Sequence, residues 1–136
     1  MKRIAIALAT ATALLASPAV SAKTPKLTGE QKLAKLLEGR VAGKPVDCIN
    51  LHASRNARII DKTAIVYDNG GTIYVNRPVH ASTLDDDDIM VTKPTSGQLC
   101  SVDTVQLRDR SQFGYSGFVG LSKFVPYRRI DRVSQR

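Results

Sequence analysis

The chain has 136 residues, with 20 Lys and Arg against 12 Asp and Glu and a formal net charge of +8. That length fits one domain with a modest core rather than several. Beyond the first 22 residues no apolar stretch approaches the roughly 20 residues that span a bilayer, so no transmembrane segment is expected in the mature chain.

Lys2 and Arg3 make a short positive start, an apolar run follows from Ile4 to Ala16, and Pro18 breaks it ahead of Val20-Ser21-Ala22. This three-part pattern predicts a signal peptide over residues 1–22, cleaved after Ala22, and hence a periplasmic protein. Neither a cleavage-site cysteine nor a twin-arginine pair is present, which argues for export as an unfolded, unlipidated chain. Loss of Lys2 and Arg3 still leaves the remainder basic.

Residues 23–27 read as a flexible lead-in to a β-rich domain over residues 28–128, followed by a basic tail, 129–136. Thr28 and Gln31 form a capping-box pattern, and Leu33, Leu36, Leu37 and Val41 recur at helical spacing. One amphipathic helix is therefore predicted from about Gly29 to Glu38, closing at Gly39. At about three turns it is too short to stand alone and needs a surface to cover.

That surface is expected to be a sheet. Val46–Leu51, carrying Cys48, is a candidate strand. Ile59-Ile60 and Ala64–Tyr67 follow, separated by a turn at Asp61-Lys62. Asp68-Asn69-Gly70-Gly71 predicts a hairpin with positive φ at Asn and Gly. Thr72–Asn76 returns, with Ile73 and Val75 on one face and Tyr74 and Asn76 on the other. Val79–Asp88 reads as an exposed loop, Ile89–Thr92 as a strand, Pro94–Gly97 as a turn and Val102–Asp109 as a strand with Val105 and Leu107 on one face. A loop over Ser111–Gly117, one or two strands within Phe118–Tyr127 and a frayed basic stretch from Arg128 complete the chain. Five to seven short strands and one helix predict a small α+β fold, mainly antiparallel and barrel-like or sandwich-like.

Cys48 and Cys100 are the only cysteines, and an exported even pair is most simply one disulfide. The alternatives are two free thiols or a mixed metal site with His52 and His80. No close ligand pair such as C-x-x-C supports the metal site, and no metal or cofactor is expected.

Four blocks, Cys48-Ile49, Gly71–Arg77, Leu99–Asp103 and Gly120–Pro126, together resemble a family of small exported proteobacterial proteins known only as a domain of unknown function. The resemblance spans roughly residues 39–128. It implies an envelope location and a disulfide-tied β-rich domain, and it brings no activity and no catalytic residues. Members often carry a second cysteine pair; the matching places here, near Leu84 and near Val119, hold none.

The candidate chemistry is sparse. Asp85-Asp86-Asp87-Asp88 could offer oxygen ligands to calcium, but it lacks the spaced D-x-D-x-D-G pattern, and a solvated acidic loop pairing with nearby Lys or Arg is the expectation. His52 or His80 could act as a general base, with Ser54, Ser82, Ser101 or Ser111 as nucleophile, but no nucleophile motif surrounds those serines. Asp103 either faces the core with partners or caps a turn at a strand end, and the cap is the expectation. No residue is assigned as catalytic.

Arg55, Arg58, Arg108, Arg110, Arg128 and Arg129 form the candidate anion-binding set, since the guanidinium fork matches phosphate and carboxylate. Export points to an anionic envelope component or an envelope protein as partner. The few aromatics are not interleaved with the charges, which argues against nucleic acid. The expected function is a non-catalytic binding or structural module of the envelope. A small enzyme using His52 or His80, or an inhibitor presenting the loop Val79–Asp88 to an envelope hydrolase, are the alternatives.

Overall fold

The computed structural model describes residues 25–94 and 96–130. The expected signal peptide and residues 131–136 of the expected tail lie outside the described residues. Helix α1 is Gly29–Leu36, and the strands are β1 Arg40–Ala42, β2 Cys48–Asn50, β3 Asn56–Ile60, β4 Ala64–Asp68, β5 Thr72–Asn76, β6 Ile89–Val91, β7 Gln98–Cys100, β8 Thr104–Arg108, β9 Tyr115–Gly120 and β10 Phe124–Arg129. The fold is α+β and mainly antiparallel, with one short helix and the Cys48–Cys100 disulfide.

The helix starts where the capping box places it. The Thr28 side chain accepts from the Gln31 N–H at 3.3 Å, and the Gln31 side chain accepts from the Thr28 N–H at 2.9 Å. The first turn lies so close to the next hairpin that a Cβ at Gly29 would collide with Thr63 and the Asp61 carbonyl. Leu33 is buried, with Leu36 and Leu37 packed beside it, against Ile60, Ala64, Val66, Ile73 and Val75. Burying a leucine contributes about 2 kcal/mol, which is what holds so short a helix in place.

The sheet under that helix runs in the order β1-β10-β5-β4-β3, antiparallel throughout. Strand alternation sends Ile59, Ile65, Tyr67 and Phe124 to its other face. There they pack on Ile49 of β2, Leu99 of β7, Val105 and Leu107 of β8 and Val119 of β9. The ribbon β2-β7 and the sheet β6-β8-β9 thus share one apolar core with this face of the five-stranded sheet. Cys48 stands directly opposite Cys100 in the β2-β7 register and is bonded to it. Leu84 and Val119 are both buried in this same apolar cluster.

Several local expectations are corrected. The helix stops at Leu36 rather than about Glu38, and Arg40–Ala42, for which no strand was expected, pairs with Tyr127–Arg129. Arg128 and Arg129, expected as the start of a frayed tail, are the end of β10 for the same reason. The hairpin after β4 takes positive φ only at Gly70, because a three-residue loop, Asn69–Gly71, separates the strands. The Asp68 carboxylate accepts from the Gly70 N–H there at 2.9 Å. Val79–Asp88 is pinned rather than wholly exposed: Leu84 is only 1% exposed, and its carbonyl accepts from the Lys62 N–H at 3.0 Å. Val102 belongs to a turn and is 89% exposed, while Tyr115–Gly117, expected as loop, begins β9. Gln98–Cys100, for which no strand was expected, pairs with β2.

Asn76 is fully buried at the end of β5. Its amide donates to the Ser122 carbonyl and its carbonyl accepts from the Ser122 N–H, so it ties the β9–β10 connection to the sheet.

Candidate anion-binding cleft

Strand β3 ends the five-stranded sheet and β6 ends the three-stranded one, and neither has a strand partner on its outer side among the described residues. Between them lies a cleft of about 670 Å³. Ala57, Ile59 and Met90 give it apolar walls, Tyr67 lines it from β4, and Arg55, Arg58 and Arg110 are the arginines of its lining.

Each arginine has a local reason for its place. The Asn50 side chain accepts from the His52 N–H at 2.9 Å, and the Ser54 N–H donates to the Leu51 carbonyl at 3.0 Å, closing a tight turn over Leu51–Ser54. The Arg55 N–H then donates to the Asp68 carbonyl at 2.8 Å, which starts the pairing with β4 and carries Arg55 to the hairpin at Gly70. Arg58 is an exposed residue of the β3 edge. Arg110 follows β8, and its Nε donates to the Asp87 carbonyl at 3.2 Å.

Two carboxylates share the cleft, Asp86 and Asp88. The Lys32 ammonium of α1 donates to Asp86 at 2.9 Å, and this hydrogen bond is the main reason the Asp86 carboxyl is held below the usual range. Asp88 accepts from the Ser116 hydroxyl at 3.0 Å. Arg55 and Arg58 have no carboxylate partner among the described residues. The local balance is therefore positive, with its two freest charges on the β3 side.

Tyr67 is 2% exposed, and its ring meets Phe124 edge-on at a centroid distance of 5.9 Å. Its hydroxyl is buried with no hydrogen-bond partner, and burial pushes the phenol pKa well up. A buried hydroxyl left unpaired costs about 1–3 kcal/mol, so Tyr67, a residue of the cleft lining, carries an unsatisfied donor. Nothing in the sequence distinguished Tyr67 from the core residues on either side of it, beyond a polar atom in an apolar run.

The other members of the arginine set lie elsewhere. Arg108 pairs with Ile89 and Tyr115 on β8 and does not line the cleft. Arg128 faces Thr72 and Val41 across β10, and Arg129 lies beside Arg40 at a separate depression. His52 and His80 are both exposed and neither lines the cleft. His52 lies against Gly97. Among the described residues neither imidazole is hydrogen-bonded to a serine or a carboxylate; Ser101 and Ser111 donate to Asp47 and Asp109 instead. Asp103 caps the turn at the end of β7, accepting from the Cys100 N–H at 2.7 Å. Asp61 comes close to Asp85 and Asp86, a neighbour that sequence distance concealed, and Lys32 already occupies Asp86.

No helix among the described residues is long and apolar enough to cross a membrane. Compared with family models, curated proteins and solved structures, the chain matches none.

Proposed function

We propose that this chain is a non-catalytic binding module of the bacterial envelope, exported with loss of residues 1–22, that holds an anionic group of an envelope component in the cleft under Arg55, Arg58 and Arg110. The observation that carries the reading is that Arg55, Arg58, Arg110 and Tyr67, whose buried hydroxyl has no partner, line a single concave site. Guanidiniums bind phosphate and carboxylate bidentately, and a phenol hydroxyl can complete an oxygen that they have oriented. The disulfide suits an oxidising compartment, and the leader-like pattern of residues 1–22 and the resemblance to exported proteins support the same location.

Binding is tested by calorimetric titration with tripolyphosphate, a compact polyanion. Affinity should fall steeply from about 0.01 M to about 0.15 M salt, as the screening length shrinks from about 30 Å to about 8 Å. The variant Arg55→Glu/Arg58→Glu should lose at least about tenfold in affinity. Binding indifferent to both would remove the reading. Export is tested separately by the unreduced mass of protein recovered from a periplasmic extract, which should match residues 23–136 less two hydrogens. Retention of residues 1–22 would contradict it.

A further inference from the structure

The shape of the cleft says more than its charge. It is walled on one side by the free edge of β3 and on the other by the free edge of β6, and its lining follows both strands, from Ser54 to Ile59 and from Asp88 to Thr92. We infer that this seam receives an extended acidic peptide segment of a partner protein, which adds as a strand to the β3 edge and places its carboxylates on Arg55, Arg58 and Arg110. The inference rests on the anion-binding reading of the same cleft and narrows its ligand to a polypeptide.

Three features lead there. First, a strand edge presents a row of unpaired N–H and C=O groups, and an added strand satisfies them at about 4.8 Å spacing. The five residues of β3 offer a run of about 17 Å for such pairing. Second, the wall alternates in character. Ala57 and Ile59, with Met90 across the seam, make an apolar side, while Arg58 points its register to the opposite face of β3 and Arg55 precedes it. A strand laid here meets Ala57 and Ile59 on one face and Arg58 on the other, with Arg55 and Arg110 also lining the cleft, so the fitting peptide mixes apolar and acidic side chains. Third, the sign of the charge is set. Asp86 is taken by Lys32 and Asp88 by Ser116, whereas Arg55 and Arg58 have no carboxylate partner among the described residues. Charged residues on an edge also discourage unwanted pairing with identical copies, since two such edges repel. An acidic strand is the partner that this protection admits.

The probe is a pool of blocked peptides of about seven residues that combine Val or Ile with Glu or Asp in varied order, with tripolyphosphate as the charge-only control. Fluorescence polarisation should find members that bind with Kd below about 1 mM. Methylating alternate backbone nitrogens of a binding peptide keeps its charge and removes its ladder donors, and should weaken it at least about tenfold. Arg55→Glu/Arg58→Glu should weaken it comparably, and hydrogen exchange of the complex should show new amide protection within residues 56–60. Equal binding of the methylated and unmethylated peptides would overturn strand addition while leaving the anion site in place. Absence of peptide binding where tripolyphosphate still binds would do the same. Failure of both ligands would remove the anion-binding reading as well.

Discussion

Replacing both cysteines, Cys48→Ala/Cys100→Ala, tests how much of the fold hangs on one covalent bond. The bond closes a loop spanning a sequence separation of 52 and joins directly opposed residues of a ribbon only three residues long on each side. Loop-closure entropy for that length gives about 4 kcal/mol at room temperature. A domain of this size has a net stability of about 5–15 kcal/mol, so the loss is a large part of the whole. At about 4–8 °C per kcal/mol, the melting temperature should fall by about 15–30 °C. Circular dichroism melts of the oxidised wild type, the wild type in reductant and the double variant measure it, and the last two should agree. Ile49 and Leu99, 4% and 1% exposed, sit in the middle of the same ribbon and anchor it to the core without the bond. If they alone hold the ribbon, the fall would be under about 5 °C. That result would refute the assignment of the main stabilising role to the bridge.

Tyr67→Phe removes a hydroxyl buried without a partner and should raise the stability of the free protein by about 1 kcal/mol, while weakening tripolyphosphate about tenfold. Burial holds the Tyr67 phenol protonated, so its pKa in the folded state lies above the unfolded value of about 10. The corresponding stability is present below that pH and is lost as pH rises beyond it, by up to about 1.4 kcal/mol per unit; urea midpoints between about pH 9 and pH 11 should fall less for Tyr67→Phe than for the wild type. Asn76→Leu should cost about 2–4 kcal/mol by chemical denaturation, since it leaves the Ser122 N–H and carbonyl without their partner. Leu84→Ala should cost about 2–5 kcal/mol, a core value from a residue in a connecting loop, and a cost below about 1 kcal/mol would show that the loop is not anchored there.

What could be read from the sequence was local. Thr28 and Gln31 announce a helix start because both partners of the cap lie within one turn, and Asp68–Gly71 announces a hairpin because glycine permits the required φ. Val105 and Leu107 reveal their face by alternation alone. The misses share a cause, which is that distant pairing overrode a local signal. Arg40–Ala42 shows no strand signal of its own and is taken by β10, and Arg128 and Arg129 look like a tail until β1 pairs with them. Gln98–Cys100 is too short to show any period and becomes a strand only through its register with Cys48. Leu84 lies among polar residues, and only the fold shows that it turns inward. The site divides in the same way. Charge and residue type nominate six arginines, but bringing Arg110 to Arg55 and Arg58 requires two sheets to meet, and Tyr67 joins them from the interior of a strand that reads as core.

The cleft, rather than the basic surface as a whole, is proposed as the place where an anion binds. Mapping tripolyphosphate onto the amide resonances of the isotopically labelled protein tests it most directly. Binding in the cleft should give saturable shifts gathered at Ser54–Ile59, Asp88–Thr92 and Arg110, with Arg128 and Arg129 unmoved. Shifts centred on Arg40, Arg128 and Arg129, or spread evenly over every exposed Lys and Arg, would contradict it.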